Sequence, residues 1–296
     1  MAAQCTFEAI GTSWQIDIFG RIYSAESQEL FGKISALIEI FDQTYSRFRE
    51  DSLVTKISHQ QGEYVLPADA QPLFSLYQDL YQLTDGHFTP LIGQVLSDAG
   101  YDSSYTLKPK HRLQTPATWE DVIKYQPETN TLTVKQPALL DFGAAGKGYL
   151  IDLVGQLLRT HGQESFCIDA GGDILYSNSN NQPLRVGLEN PDNLEQVIGV
   201  ASISNKSICG SAGNRRKWQN FHHIIDPKTL SSPHSILASW VTADTAILAD
   251  ALSTCLFFVP AELLSKRYNF EYLTLNADHT VKRSHQFPAE LYAEVY

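Results

Sequence analysis

Residues 222–229 read H-H-I-I-D-P-K-T, and residues 246–254 read A-I-L-A-D-A-L-S-T. The second stretch has the composition of an apolar helix, predicted over about 243–258 and stopping before Pro260. It nevertheless carries Asp250 and Thr254 at i and i+4, where two side chains share a helix face. A carboxylate among Ala249, Ala251 and Leu252 is costly to bury unless something positive meets it. No Lys or Arg stands at helical spacing, so a metal ion or a basic residue distant in sequence is the natural partner. Two hard oxygen ligands suit Mg²⁺ or Ca²⁺, and Mg²⁺ commonly works beside phosphate groups. The alternative is a buried Asp satisfied by backbone or Arg.

Working outward, strands are predicted at 237–242 before this helix and at 270–276 after it. Near the start, Trp14, Ile16 and Ile18 alternate, which predicts a strand over 13–19. Leu30, Ile34, Leu37, Ile38 and Phe41 recur at helical spacing, giving an amphipathic helix over 25–41. Another helix covers about 69–84, with Pro72 in its first turn and a glycine stop at Asp85-Gly86. Residues 101–118 lack periodicity and read as a long loop. Short strands follow at 121–125 and 131–135, joined by P-E-T-N, and a third at 138–142 runs into Gly143. A helix over 147–160 turns Leu150, Ile151, Val154, Leu157 and Leu158 inward, and strands are predicted at 164–169, 184–189 and 197–204. Hairpins mixed with helices read as α+β or mixed α/β rather than a strict βαβ array.

The 296 residues, 43% of them hydrophobic, suit a soluble globular protein of roughly one to two domains. A net charge of −11 argues against nucleic acid as the main partner, because a phosphate-binding surface needs a basic excess. No stretch of about 18 apolar residues occurs, so no transmembrane segment is expected. The opening M-A-A-Q-C-T-F-E has no basic segment followed by an apolar run, so no signal peptide is read and a cytoplasmic location is expected. A chain whose leader had been removed would look the same, and would be exported or membrane-anchored. Cys5, Cys167, Cys209 and Cys255 are spaced neither as a zinc site nor as a disulfide framework, and three lie in apolar surroundings as small core residues do.

Several further segments could carry chemistry. L-L-D-F-G-A-A-G-K-G-Y-L-I-D, 139–152, joins a strand to a helix through three glycines. Glycines let a ligand approach the backbone, and the following helix N-terminus favours an anion. Lys147 adds a positive charge, but Gly148 stands where a Walker loop has Ser or Thr, and a tight turn explains the glycines as well. F-C-I-D-A-G-G-D-I-L, 166–175, ends a strand in two glycines between aspartates, which marks either ligand contact or a simple turn. Gly86-His87-Phe88-Thr89-Pro90 by itself reads as a loop. C-G-S-A-G-N-R-R-K-W, 209–218, could receive phosphate or carboxylate, or form a solvated basic turn. His222 and His223 offer a general base at a strand edge, or a structural histidine, and Asp226-Pro227 reads as a turn former.

Taken in order, these segments resemble the ApbE-like flavin transferases, which are FAD:protein FMN transferases. A-I-G-T-S-W looks like the family's Met-Gly-Thr start, with Ile10 for the methionine. F-D-Q-T-Y-S-R-F-R-E-D-S-L, 41–53, resembles its Phe-Ser-Arg-Phe-Arg…Asp-Ser motif, and D-G-H-F-T-P-L-I-G its Gly-Ala-Phe-Asp-Pro loop. D-F-G-A-A-G-K-G-Y-L-I-D, D-A-G-G-D-I, H-H-I-I-D-P-K-T and A-D-A-L-S-T follow in the family order. Thr89 stands where many members have Asp, S-A-G-N-R-R-K replaces Thr-Ser-Gly-Asp-Tyr-Arg, and Leu230 replaces the glycine of Asp-Pro-x-Thr-Gly.

The resemblance implies an α+β fold of mixed sheets with packed helices, ApbE-like and T-fold-like. It implies one domain over 1–296, divisible into two subdomains with the FAD site between them. Ile10, Phe48 and His87-Phe88-Thr89 would line that site, and Asp141 and Lys147 would contact FAD from the glycine turn. His223, before His222, would act as base, and Ile225, read as lying in the same strand, would touch the cofactor. Asp250, Thr254 and the carbonyl of Ala144 would bind Mg²⁺. The implied activity is Mg²⁺-dependent transfer of FMN from FAD to a Thr or Ser hydroxyl of an acceptor flavin-carrier protein, releasing AMP. The alternatives are an FAD pyrophosphatase giving FMN and AMP, and a non-catalytic FAD-binding protein.

Overall fold

A computed structural model describes residues 3–292. Its largest element is an eight-stranded antiparallel sheet. The strand order is Ala3–Ala9, Thr12–Ile18, Phe166–Ala170, Asp173–Ser177, Ser207–Ala212, Ile236–Ala243, Glu271–Asn276, Val281–Arg283. Alternation sets its two faces. Trp14, Ile16, Ile18, Phe166 and Ile168 point to one side, where helices Ser24–Tyr45, Gly146–Thr160 and Ala246–Cys255 bury them. Cys167, Ile174 and Tyr176 point to the other, against a three-stranded sheet ordered Ala289–Leu291, Asn193–Ile203, Leu184–Asn190. A further small sheet orders Gly62–Val65, Thr131–Val134, Ile123–Gln126.

Two tight turns at one end of the large sheet shape the site. The register Ala9↔Thr12 leaves only Ile10 and Gly11 between strands, and Ala170↔Asp173 leaves only Gly171 and Gly172. All four have positive φ, as two-residue turns that follow the sheet's twist demand. Glycine meets that demand freely, whereas Ile10 is β-branched and held at φ 44°.

Most predicted elements form within a few residues of their expected bounds, but three expectations are corrected. The segment 138–142 is not a strand: its N–H groups go to carbonyls of two helical segments, Ala138 to Ile57 and Asp141 to Pro90. Its apolar pattern reflects packing of Leu140 in the core rather than a ladder. The helix expected over 243–258 is Ala246–Cys255, because Ala243 ends a strand and the chain needs two residues to turn. Its N-terminus is capped from another helix, where the Asp152 carboxylate accepts from Ala246 N–H at 2.9 Å and Ile247 N–H at 2.8 Å. Burial nonetheless pushes Asp152 up to about 6, against those two hydrogen bonds. Finally, Ile225 does not share a strand with His223, since the strand there is only Phe221–His222. Strands Ala3–Ala9, Asp173–Ser177 and Ser207–Ala212, and helix Leu53–His59, form where none is predicted.

Candidate active site

A cleft of about 1240 Å³ opens at the end of the large sheet where the two glycine-bearing turns lie. Every residue assigned to the site from sequence borders it. Ile10 and Phe48 lie along it, as do His87, Phe88 and Thr89. Asp141, Ala144 and Lys147 reach it from the glycine turn, His223 and Ile225 from the histidine segment, and Asp250 and Thr254 from the apolar helix.

Asp250 owes its place to a close helix crossing. A Cβ on Gly148 would lie 2.2 Å from the Ala246 carbonyl oxygen and 2.7 Å from Asp250 Cβ, so only glycine lets the helices meet. The contact delivers Gly148 N–H to Asp250 Oδ2 at 2.8 Å. Burial, and then the neighbouring Asp173 charge, push Asp250 well above the usual carboxylate range. We expect Gly148→Ala to destabilise the fold by about 1–3 kcal/mol through overpacking, read from urea unfolding. An unchanged midpoint would show that this crossing is looser than described.

Lys147 supplies positive charge near Asp250 but forms no direct ion pair with it. Its ammonium lies 2.7 Å from Asp173 Oδ2, at an angle that leaves that oxygen without a well-directed hydrogen bond, and donates to the Ala170 carbonyl at 3.2 Å. Burial works against the ammonium, but the Asp173 and Asp250 charges outweigh it and hold Lys147 above its usual value. Lys147 pairs with Asp173 and reaches Asp250 only as a nearby charge, so with both acids ionised the buried group carries an uncompensated negative charge.

The two histidines divide cleanly. His222 is buried, with Nε2 2.8 Å from the Pro233 carbonyl and Nδ1 accepting from Ile224 N–H at 3.3 Å. Both ring nitrogens are used, so the ring is neutral and structural. His223 borders the cleft and its buried Nδ1 has no hydrogen-bond partner among the described residues. Burial first, then the Arg216 charge, lower His223 to about 3, so it is neutral and able to accept a proton.

The other wall contains a residue that motif and spacing do not single out. Arg47 is buried, and its Nε–H donates to Asp141 Oδ2, while Asp141 Oδ1 accepts from Gly143 N–H at 2.8 Å. The guanidinium stacks over Phe48 at 4.2 Å and Tyr101 at 4.8 Å, with Nη2 left unpartnered. A charge inside an aromatic run, S-R-F-R, is the available signal. Asp173 has no role that its own segment reveals, and Ser211 belongs not to a basic turn but to strand Ser207–Ala212. Ser211 Oγ lies 3.2 Å from Thr254 Oγ1.

The 87–89 loop is held more firmly than its sequence suggests. His87 Nδ1 lies 2.9 Å from Asp226 Oδ1, which also accepts from Lys228 N–H, the turn expected at Asp226-Pro227. Phe88 stacks on Tyr77 in the core, and Thr89 caps the short turn Pro90–Ile92 through Leu91 N–H. Ile225 is buried with Trp218 and Leu96. Phe88 and Ile225 therefore contribute mainly shape to the cleft. Leu230, in the place of the family glycine, sits at φ 55° and keeps the glycine-type conformation.

Among the described residues no group of three His, Cys, Asp or Glu side chains could hold a metal ion. The residues nevertheless fit Mg²⁺, which is usually bound by one or two carboxylates together with substrate phosphates rather than by an all-protein cage. The excess buried negative charge at Asp250 and Asp173 is what a cation would offset.

A helix-covered antiparallel sheet with a charged cleft at one end defines an α+β protein with a large ligand site of mixed polar and apolar lining. The chain belongs to the ApbE family, whose model matches residues 10–273. The FAD:protein FMN transferase of Treponema pallidum (strain Nichols) is 25% identical to it over 281 residues, covering 86% of this chain and 77% of that protein. The Escherichia coli (strain K12) protein of the same name is 24% identical, covering 86% and 78%. The ApbE protein of Thermotoga maritima shares the fold at a TM-score of 0.83 and 21% identity, covering 98% of this chain and 100% of that one. The flavin transferase ApbE from Vibrio cholerae does so at 0.78 and 20%, covering 96% of each chain. No described helix is long and apolar enough to cross a membrane.

Proposed function

We propose that this chain transfers FMN from FAD to a Thr or Ser hydroxyl of an acceptor flavoprotein, releasing AMP, in a Mg²⁺-dependent reaction. The observation that carries the reading is the meeting of Lys147, Asp250 and the His223 ring at one cleft. The acting unit is the whole chain, 1–296, with FAD lying between its large sheet and the layers around it.

The chemistry needs each group. Thr and Ser hydroxyls are weak nucleophiles, so the His223 imidazole takes the proton as the oxygen attacks. The hydroxyl oxygen bonds to the FMN-side phosphorus, the bond from that phosphorus to the bridging oxygen breaks, and AMP leaves with its electron pair. Lys147 and Arg216 supply positive charge along the cleft, and Arg47 fixes Asp141 for contact with FAD. Asp250, Thr254 and the Ala144 carbonyl would hold Mg²⁺, which supplies neutralisation of the pyrophosphate charge. The net charge of −11 is no obstacle where Lys147, Arg216 and a bound Mg²⁺ would place positive charge beside the pyrophosphate.

The test is mass spectrometry of a flavin-carrier protein incubated with the enzyme, FAD and Mg²⁺. The carrier is expected to gain one FMN on a Thr or Ser, and chelation of Mg²⁺ to stop the gain. Free FMN and AMP with no labelled carrier would establish a pyrophosphatase instead. Tight FAD binding without turnover would establish a flavin-binding protein.

A further inference from the structure

We propose that the open edge of strand Leu184–Asn190 is where the acceptor docks, adding an extended, hydroxyl-bearing segment of its chain as a fourth strand of the small sheet. The proposal rests on the transferase reading above and names how that site meets its protein substrate.

Leu184–Asn190 pairs on one side with Asn193–Ile203, and among the described residues no strand pairs with its other side. In an antiparallel ladder, alternate residues direct N–H and C=O away from the partner, so a row of backbone donors and acceptors lines that edge. Free edges are commonly blunted by lysine, proline or a cover. Here Pro183 and Pro191 flank the strand, while L-R-V-G-L-E-N itself contains neither lysine nor proline. Gly187 at its centre is exposed, and a Cβ there would lie 2.9 Å from Val197 Cγ1, so packing within the sheet already requires the small residue.

This edge opens into the catalytic cleft. Leu184, Arg185, Val186 and Gly187 border the same space as His223 and Asp250. Across it lie Gln15, Asp17 and Asp169 on the outer face of Thr12–Ile18 and Phe166–Ala170. The small sheet covers Cys167, Ile174 and Tyr176, whereas Gln15 stays exposed and Asp17 only half-buried. A strand added to the edge would extend the small sheet over this polar strip. The cleft, at about 1240 Å³, is also larger than the roughly 300–1000 Å³ usual for one small ligand, which leaves room for a second substrate beside FAD. Continuity with His223 selects the occupant. A segment seated on the edge borders the cleft that holds the base, where a nucleophilic hydroxyl must arrive, and main-chain pairing accepts it with few demands on its side chains.

The experiment compares Arg185→Pro with Val186→Pro. Neighbouring residues send their N–H groups to opposite sides, so one proline deletes an outward donor and the other breaks the ladder to Asn193–Ile203. Melting temperature tells them apart, because only the outward proline keeps the wild-type value. For that variant, labelling of a flavin-carrier domain is expected to fall roughly tenfold through KM, the weight of one or two backbone hydrogen bonds. FAD affinity, read by flavin fluorescence, is expected to stay at the wild-type level. Amide exchange within 184–190 of the wild-type protein is expected to slow when the carrier is added, and this readout decides alone should both prolines lower the melting temperature. Unchanged labelling by the outward proline, protection confined to other segments, or a dimer formed through this edge without carrier would overturn the proposal. Wild-type protein that binds FAD but labels no carrier would instead refute the transferase reading.

Discussion

Asp250→Asn is expected to make the metal-free protein more stable while removing its turnover. The carboxylate is buried, feels the charges of Asp173 and Lys147, and has its pKa held well above the usual range by burial first. A carboxyl whose folded pKa is raised binds its proton more tightly in the native state. Its contribution to stability is therefore fully present below the unfolded value of about 3.9. That contribution is lost as pH rises through the folded value, at about 1.4 kcal/mol for each pH unit that separates the two. Asparagine keeps an acceptor for Gly148 N–H but carries no charge, so it escapes that loss. The stability gain of Asp250→Asn should thus grow with pH from about 4 upward in chelator-treated protein. Mg²⁺ should reverse the order by raising the melting temperature of the wild type alone. Transfer activity should fall by about 10³ or more, as expected when the charge that neutralises a transferring phosphoryl group is lost. Equal stabilisation of both proteins by Mg²⁺ would remove Asp250 from the metal site.

His223→Ala and His222→Ala are expected to fail in opposite ways. His223 makes no ring hydrogen bond through Nδ1, so its loss should leave melting near wild type and lower kcat by about 10²–10⁴. His222 bridges the Pro233 carbonyl and Ile224 N–H, so its loss should destabilise the fold by about 1–3 kcal/mol with little change in kcat below the new transition. The free-protein value of about 3 for His223 is low for a base. Burial and the Arg216 and Lys147 charges cause it, and an anionic pyrophosphate placed among those cations offsets them. The acidic limb of kcat, which reports the complex, should accordingly lie at higher pH than that of kcat/KM, which reports the free enzyme. Coincident limbs, or a kcat loss at His222 instead, would reassign the base.

How much of this was legible in the sequence follows from what each signal measures. Periodicity reports which side of an element is buried, so the helices around Ile34, Leu73 and Val154 and the strand through Trp14 and Ile16 could be read directly. It fails where burial has another cause. Leu139-Leu140 looked like a strand because Leu140 is in the core, although the backbone around it bonds to carbonyls of helical segments. The order of motifs pointed to the residues that border the cleft, because a site built from strand ends and helix starts concentrates glycine, charge and histidine at those junctions.

Local chemistry by itself determined that Asp250 needed a positive partner, that Asp85-Gly86 would end a helix, and that Asp226-Pro227 would turn. Those conclusions depend on neighbours within a few residues. Only the tertiary structure decided that Lys147 supplies charge near Asp250 while pairing with Asp173, and that Arg47 clamps Asp141. It alone separated His223 from His222, by giving one ring two partners and leaving the other open. It alone left strand Leu184–Asn190 with an open edge on the cleft. Each of these is a contact between segments far apart in sequence, and composition and spacing carry no record of which distant side chain will occupy the last hydrogen-bonding position.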